Sequence, residues 1–260
     1  NEPLLEFVVR GGSHYAVPAN KIRKIMSWEM SLLREHGIEV TGLPEEDLPD
    51  RRRSLASKVL HLLDTNQCIE KHVECLLVDE VQDCLREEVD VFFRCAKHVC
   101  FAGDNRQRIF SADSPIDEIR ARVRTIELTT HYRIAHRICR AADAVATAAG
   151  LPAIEDDCNY GAGEGRVEFL QCADAEEQAG QIIARLQVQL TAFPGEILGV
   201  LAPRKRDRDF LRAKIEASPI ADHLLPNRES GSDDPRRRIY VAHLLEVKGL
   251  EFRAAHLGLM

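Results

Sequence analysis

The chain has 260 residues, 45% of them hydrophobic and 30% charged, with a formal net charge of −7. That length supports two domains with cores of their own, and the composition is that of a globular chain and not a disordered one. No apolar run approaches the ~18–20 residues of a membrane span, no charged-then-apolar leader is visible, and the acidic balance argues against a broad non-specific nucleic-acid surface, though not against a local basic groove.

The elements read as follows in chain order. The chain begins with Asn1 and not Met, which suggests a fragment, a processed chain or the ordered part of something longer. From Pro18 to Gly37, Ile22, Ile25, Met26, Met30 and Leu33 recur at helical spacing, and Gly37 is a stop signal. Ile38 to Val40 reads as a short strand. Arg52 to Leu63 is a second amphipathic helix, with Leu55, Val59, Leu62 and Leu63 on one side. Cys75–Val78 is expected to be a strand buried on both faces, as in a parallel sheet. A helix near Leu85–Ala96 and a strand at Val99–Ala102 follow. This β-α-β rhythm implies a parallel sheet flanked by helices.

A second set is expected to begin at Thr125–Leu128, with a long helix over Ile134–Ala148. Residues 150–165, rich in Gly, Pro and acids, read as a loop. Val167–Leu170 reads as a strand, and Ala175–Leu190 as a helix with Ala179, Ile182, Ile183 and Leu186 inward. Ile197–Leu201, Phe210–Ile215 and Ile239–Ala242 continue the alternation, and His256–Met260 is a candidate last strand.

Eight cysteines, at 68, 75, 84, 95, 100, 139, 158 and 172, contain no Cys-x-x-Cys pair. Several lie in apolar runs, where a free thiol behaves as a small hydrophobe, so a reducing cytoplasm is expected. His72 with Cys75, or Cys95 with His98, has ligand-like spacing, but no second pair stands in register with either. The basic clusters Arg51–Arg53, Arg204–Arg206 and Arg236–Arg238 read more readily as solvated helix ends or loops than as phosphate-binding patches.

Four blocks carry the chemistry. In residues 76–83, Leu-Leu-Val-Asp-Glu-Val-Gln-Asp, an apolar strand runs into Asp79 and Glu80. Strand ends of open α/β sheets are where ligands bind, and adjacent carboxylates there can hold Mg²⁺ and orient an attacking water. Standing alone, the pair reads more readily as a solvated strand end. The second block is Gly103-Asp104-x-x-Gln107-x-Ile109-Phe110, after another apolar strand. The third is His131-Tyr132-Arg133, and the fourth Lys248-Gly249-Leu250-Glu251-Phe252.

In this order the four blocks resemble the motor core of UvrD/Rep-like superfamily 1 helicases, over roughly residues 70–260. The resemblance implies an α/β fold of two RecA-like domains, parallel sheets flanked by helices, with a partial first domain at 1–120 and a second at 121–260. It implies ATP and Mg²⁺ as cofactors and single-stranded DNA, or else RNA, as partner, with a protein partner also open. Asp79 would bind the metal and Glu80 polarise water. Gly103, Asp104 and Gln107 would sense the γ-phosphate. Tyr132 would stack on adenine, and Arg133 would be an arginine finger worth ~10³–10⁵ in rate. Glu251 would meet the ribose. Gln82, Phe110, His243 and Lys248 would lie toward nucleic acid.

The chain departs from the family's pattern in places. Relatives carry a tryptophan and an arginine beyond the second block, where this chain has Ser111-Ala112-Asp113-Ser114. They usually have asparagine where His131 stands, which is read here as an orienting residue. They place threonine and histidine where His243 and Leu245 stand. No Gly-x-x-x-x-Gly-Lys-Ser/Thr occurs in the sequence, and Gly11-Gly12-Ser13 is no substitute. The alternative reading is therefore a catalytically incomplete helicase relative that binds nucleic acid or protein; an unrelated α/β protein is the third.

Overall fold

The computed structural model describes residues 2–43, 48–65, 71–108, 114–226 and 234–259. Its elements are α1 (Glu2–His14), α2 (Ile25–Glu35), α3 (Leu48–Thr65), β1 (Val73–Val78), α4 (Arg86–Cys95), β2 (Ala96–Phe101), α5 (Ile116–Arg122), α6 (His136–Ala148), α7 (Ala175–Ala192), β3 (Leu198–Ala202), α8 (Lys205–Glu216), β4 (Ile239–His243) and β5 (Ala254–Leu257). The protein is mixed α/β, with small parallel sheets flanked by helices. No described helix is long and apolar enough to cross a membrane. Two compact units are formed, one from 1–24 with 170–260 and one from 25–169. Residue 120, the boundary expected from the resemblance, lies in α5 of the latter.

In the unit 25–169, β1 and β2 pair in parallel, with Val78 opposite Phe101. The helix between them, α4, buries Val89, Val91, Phe92 and Cys95. Two apolar clusters meet along it. Leu32 and Leu33 of α2 pack with Leu55, Val59 and Leu63 of α3 against Val91 and Cys95. Val78, Val81, Ile116 and Ile119 pack around Phe92. Among the described residues the sheet is thus covered on one side only. Leu77 is 76% exposed, and Cys75 and Cys100 are exposed as well, which corrects the expectation of a strand buried on both faces. A continuous apolar run does not distinguish one covered face from two.

In the other unit, three parallel strands lie in the order β4-β3-β5. Here both faces are covered. Leu198, Val200 and Ala202 point with Ile239 and Val241 to the side packed by α7 and α8. Leu201 and Tyr240 point to the other, where Leu244, Val247, Leu250 and Phe252 cover them. The chain from β4 to β5 must cross β3, and it does so without an α-helix, through the 3-10 turn Leu244–Glu246. Gly199 makes room, since a Cβ there would stand 2.9 Å from the Phe252 ring, which stacks on Tyr240 at 5.9 Å.

Three expected strands are absent. Ile38–Val40, Thr125–Leu128 and Val167–Leu170 are not in strands, and Ile126, Leu128 and Phe169 are 76%, 86% and 87% exposed. Each is a short stretch in which apolar residues flank a glutamate, with no neighbouring strand among the described residues to pair with, and an unpaired strand leaves its backbone groups to water. The helix expected from Pro18 is shorter: Ala19–Lys21 is a single 3-10 turn and α2 starts at Ile25.

Candidate functional site

Asp79 and Glu80 follow β1, and Gly103 and Asp104 follow β2 closely, so both blocks meet at the carboxyl edge of one parallel strand pair. The backbone ties the two ends together: Ala102 N–H donates to Val78 O at 2.8 Å, and Val81 N–H to Ala102 O at 3.0 Å. Glu80 is left-handed, at φ 54° and ψ 39°. A non-glycine residue pays strain there, and such strain gathers at functional sites. It turns the chain sharply, so that Val81–Asp83 form a 3-10 turn over the end of β2.

Gln82 is fully buried. Its Nε2 donates to Glu80 Oε2 at 2.5 Å, and its Oε1 accepts from Asp104 N–H at 3.1 Å. One side chain therefore spans both blocks. Gly103 is the residue that lets it: a Cβ there would come within 2.7 Å of Gln82 Oε1 and 2.8 Å of Val81 Cγ1. Asp104 in turn accepts from Arg106 N–H at 2.9 Å and from Gln107 Nε2 at 3.3 Å. Gln107 is thus aimed by Asp104, which is aimed by Gln82, which holds Glu80. Asp79 Oδ1 accepts from Glu80 N–H at 2.9 Å, and Asp79 is exposed. The two carboxylates offer hard oxygen donors, the type that Mg²⁺ takes.

Five expected site residues, Asp79, Glu80, Gly103, Asp104 and Gln107, thus come together in one network. Gln82 was expected toward nucleic acid; its amide instead faces inward between the blocks. Phe110 lies outside the described residues. Tyr132 is 63% exposed and Arg133 exposed, on a turn whose His131 pairs with the chain at Cys158. His131 N–H donates to Asp157 O at 3.0 Å, and Asn159 N–H to His131 O at 2.8 Å.

His243, Lys248 and Glu251 lie in the other unit, along the crossing from β4 to β5. His243 closes β4, with its Nε2 2.8 Å from Pro203 O, and its backbone N–H donates to Glu246 at 3.0 Å. Burial raises the Glu246 carboxyl, but that N–H and Arg208 outweigh it and hold the group below its ordinary value. Gly249 makes the left-handed turn at φ 80° between Lys248 and Glu251.

The basic clusters are largely committed within the protein. Arg52 donates to Glu88 at 2.8 and 2.5 Å. Arg204 pairs with Asp207 and Arg236 with Asp234. Arg238 donates to the carbonyls of Phe193 and Leu190 at the end of α7.

Sequence reasoning missed two further groups. Glu29 on α2 is fully buried beside the Arg52–Glu88 pair, and neither of its oxygens has a hydrogen-bond partner. Burial, and then Glu88, push its carboxyl up to about 8, against the pull of Arg52. Its position on the inner side of an amphipathic helix, in step with Leu33, was the available signal. The second group, His131 with Cys139 and Cys158, is spread over separate segments and had none. Compared with known proteins, the chain matches no family model and no curated sequence.

Proposed function

We propose that this chain is part of an ATP-dependent DNA helicase or translocase of UvrD/Rep type, coupling ATP hydrolysis to movement on single-stranded DNA. The observation that carries the reading is the junction of Asp79-Glu80-x-Gln82 with Gly103-Asp104-x-x-Gln107 at the ends of two adjacent parallel strands, through one buried glutamine. A pair of unrelated solvated strand ends has no need of such a link. In this reading residues 1–120 belong to a first RecA-like domain and 121–260 to a second, hinged over Ile119–Thr125.

Asp79 would hold Mg²⁺, which would supply neutralisation of phosphate charge when bound, and Glu80 would orient the attacking water. Gln107 contacts the γ-phosphate, and its tether to Gln82 carries the state of the nucleotide back to the β1 turn. Tyr132 stacks on the base, Arg133 meets charge that develops in the transition state, Glu251 holds the ribose, and His243 and Lys248 face the nucleic acid.

The test is ATP turnover by the whole protein that carries this chain, with and without single-stranded DNA. DNA-stimulated turnover lost in Glu80→Gln, with ATP still bound, is the expected result; turnover indifferent to Glu80→Gln overturns it. The 260 residues alone are expected to bind ATP poorly, because the amides and lysine of a Gly-Lys-Ser/Thr loop supply most phosphate binding. That missing motif also favours a second reading, a nucleic-acid- or protein-binding module without hydrolysis. DNA binding with no turnover in the whole protein would select it.

A further inference from the structure

We infer that His131, Cys139 and Cys158 form a zinc site that fastens the His131–Tyr132–Arg133 turn to α6. Among the described residues this is the one group of three or more such side chains whose donor atoms converge, all lying within 4.8 Å of one another. The site does not depend on the helicase reading, because its ligands and its scaffold are local.

Three segments supply it. Cys139 sits in the first turns of α6 and is fully buried. Cys158 follows the 3-10 turn Glu155–Asp157. His131 is bridged to Cys158 by the backbone. The scaffold is set without metal. Asp143 on α6 accepts from the N–H groups of Ile154 and Glu155 at 2.8 and 2.9 Å, and Arg140 holds Glu155 at 2.6 Å.

The donor chemistry fits. His131 Nε2 lies 3.0 Å from Ile154 O. The same nitrogen faces the Cys139 thiol, so zinc bound at Nε2 would replace its contact with the carbonyl. The other nitrogen, Nδ1, is buried and has no hydrogen-bond partner. Both thiols lie near Ile134 O, Cys158 at 3.0 Å and Cys139 at 3.7 Å, and Cys139 Sγ is 3.6 Å from His131 Nε2. Zinc–sulfur bonds of about 2.3 Å and zinc–nitrogen bonds of about 2.0 Å set the ligands of a tetrahedral site roughly 3.5–4 Å apart. Two thiolates and an imidazole select zinc over the hard cations. On binding, each thiol gives its proton to solvent, and water takes the fourth position.

Cobalt(II) titration of the whole chain under reducing conditions tests the site. One equivalent is expected to bind, with thiolate-to-cobalt charge-transfer absorption and the visible bands of a tetrahedral ion, and to be displaced by Zn²⁺. The signal should vanish in Cys139→Ser and Cys158→Ser and persist in Cys75→Ser and Cys100→Ser. Because a serine at buried Cys139 can impair folding, a second measurement uses the unaltered protein: alkylation of Cys158 should slow at least tenfold on adding Zn²⁺, with Cys75 and Cys100 unaffected. No thiolate band, a band that survives the Cys139→Ser/Cys158→Ser double variant, or unselective protection overturns the proposal.

Discussion

Gly103 has no side chain because Gln82 fills the space where one would stand. Gly103→Ala puts a methyl 2.7 Å from Gln82 Oε1 and 2.8 Å from Val81. Gln82 is buried and bonded at both ends, so it has little room to yield. The expected cost is about 1–3 kcal/mol, read as a lowered denaturant midpoint. The same substitution should cost less in a Gln82→Ala background, where the clash with Oε1 is gone and only that with Val81 remains. An unchanged midpoint in the single variant would mean that the two strand ends are not coupled as described. Glu80 tests the backbone beside it. Glu80→Ala and Glu80→Gly both remove the carboxylate that Gln82 bonds, but only glycine adopts φ 54° without cost. The glycine variant should therefore be the more stable by about 1 kcal/mol. Equal stabilities would show that the left-handed turn is not retained.

At the scale of elements, α2, α3 and α4 pack around an acid that nothing solvates. Glu29 has a carboxyl raised to about 8 by burial and by Glu88, with Arg52 opposing, and an unfolded chain restores the ordinary value near 4.5. Folding therefore favours the protonated acid. Its contribution is fully present below about pH 4.5 and is lost as the pH rises through about 8, where the folded state must bury a charge. Glu29→Gln keeps the shape and cannot ionise. Its stability should fall less than that of the unaltered protein between pH 5 and about pH 9, so that the two curves converge in acid and separate in base. Denaturant melts across that range measure it; parallel curves would place the carboxyl in contact with water. Arg52 is held differently, with its charge matched by Glu88 at 2.5 Å, so it adds no free charge to the Arg51–Arg53 cluster: its guanidinium is spent inside the bundle.

For the whole molecule, charge is the governing property. The net charge is −7, and many arginines of the basic clusters pair with acids or carbonyls. Single-stranded DNA should bind weakly, with affinity falling steeply as salt rises, since few phosphates are neutralised by each local patch and each adds about −0.7 to the logarithmic salt slope. Tight, salt-insensitive binding would contradict this. Under the helicase reading proposed above, Arg133→Ala in the whole protein should lower ATP turnover at least a hundredfold while leaving ATP affinity and melting temperature nearly unchanged, because a finger would act on charge that arises only in the transition state. Arg133→Lys should rescue poorly, as a point charge does not reproduce the planar fork. A fully active alanine variant removes Arg133 from the site.

Sequence alone determined the helices α3, α4, α6 and α7 to within a few residues, the strands β1, β3 and β4, and the order of the four motif blocks. Helical spacing and apolar runs are local signals, and a block such as Asp79-Glu80-x-Gln82-Asp83 is contiguous. Tertiary structure decided what depends on pairing partners. Whether Thr125–Leu128 or Val167–Leu170 became strands turned on a neighbour to bond with, and each lacked one. Whether β1 was covered on one face or two turned on which helices returned to it. The link from Glu80 through Gln82 to Asp104, and the convergence of His131, Cys139 and Cys158, join positions distant in sequence. No periodicity encodes such contacts, because they form only when separate segments fold onto one another.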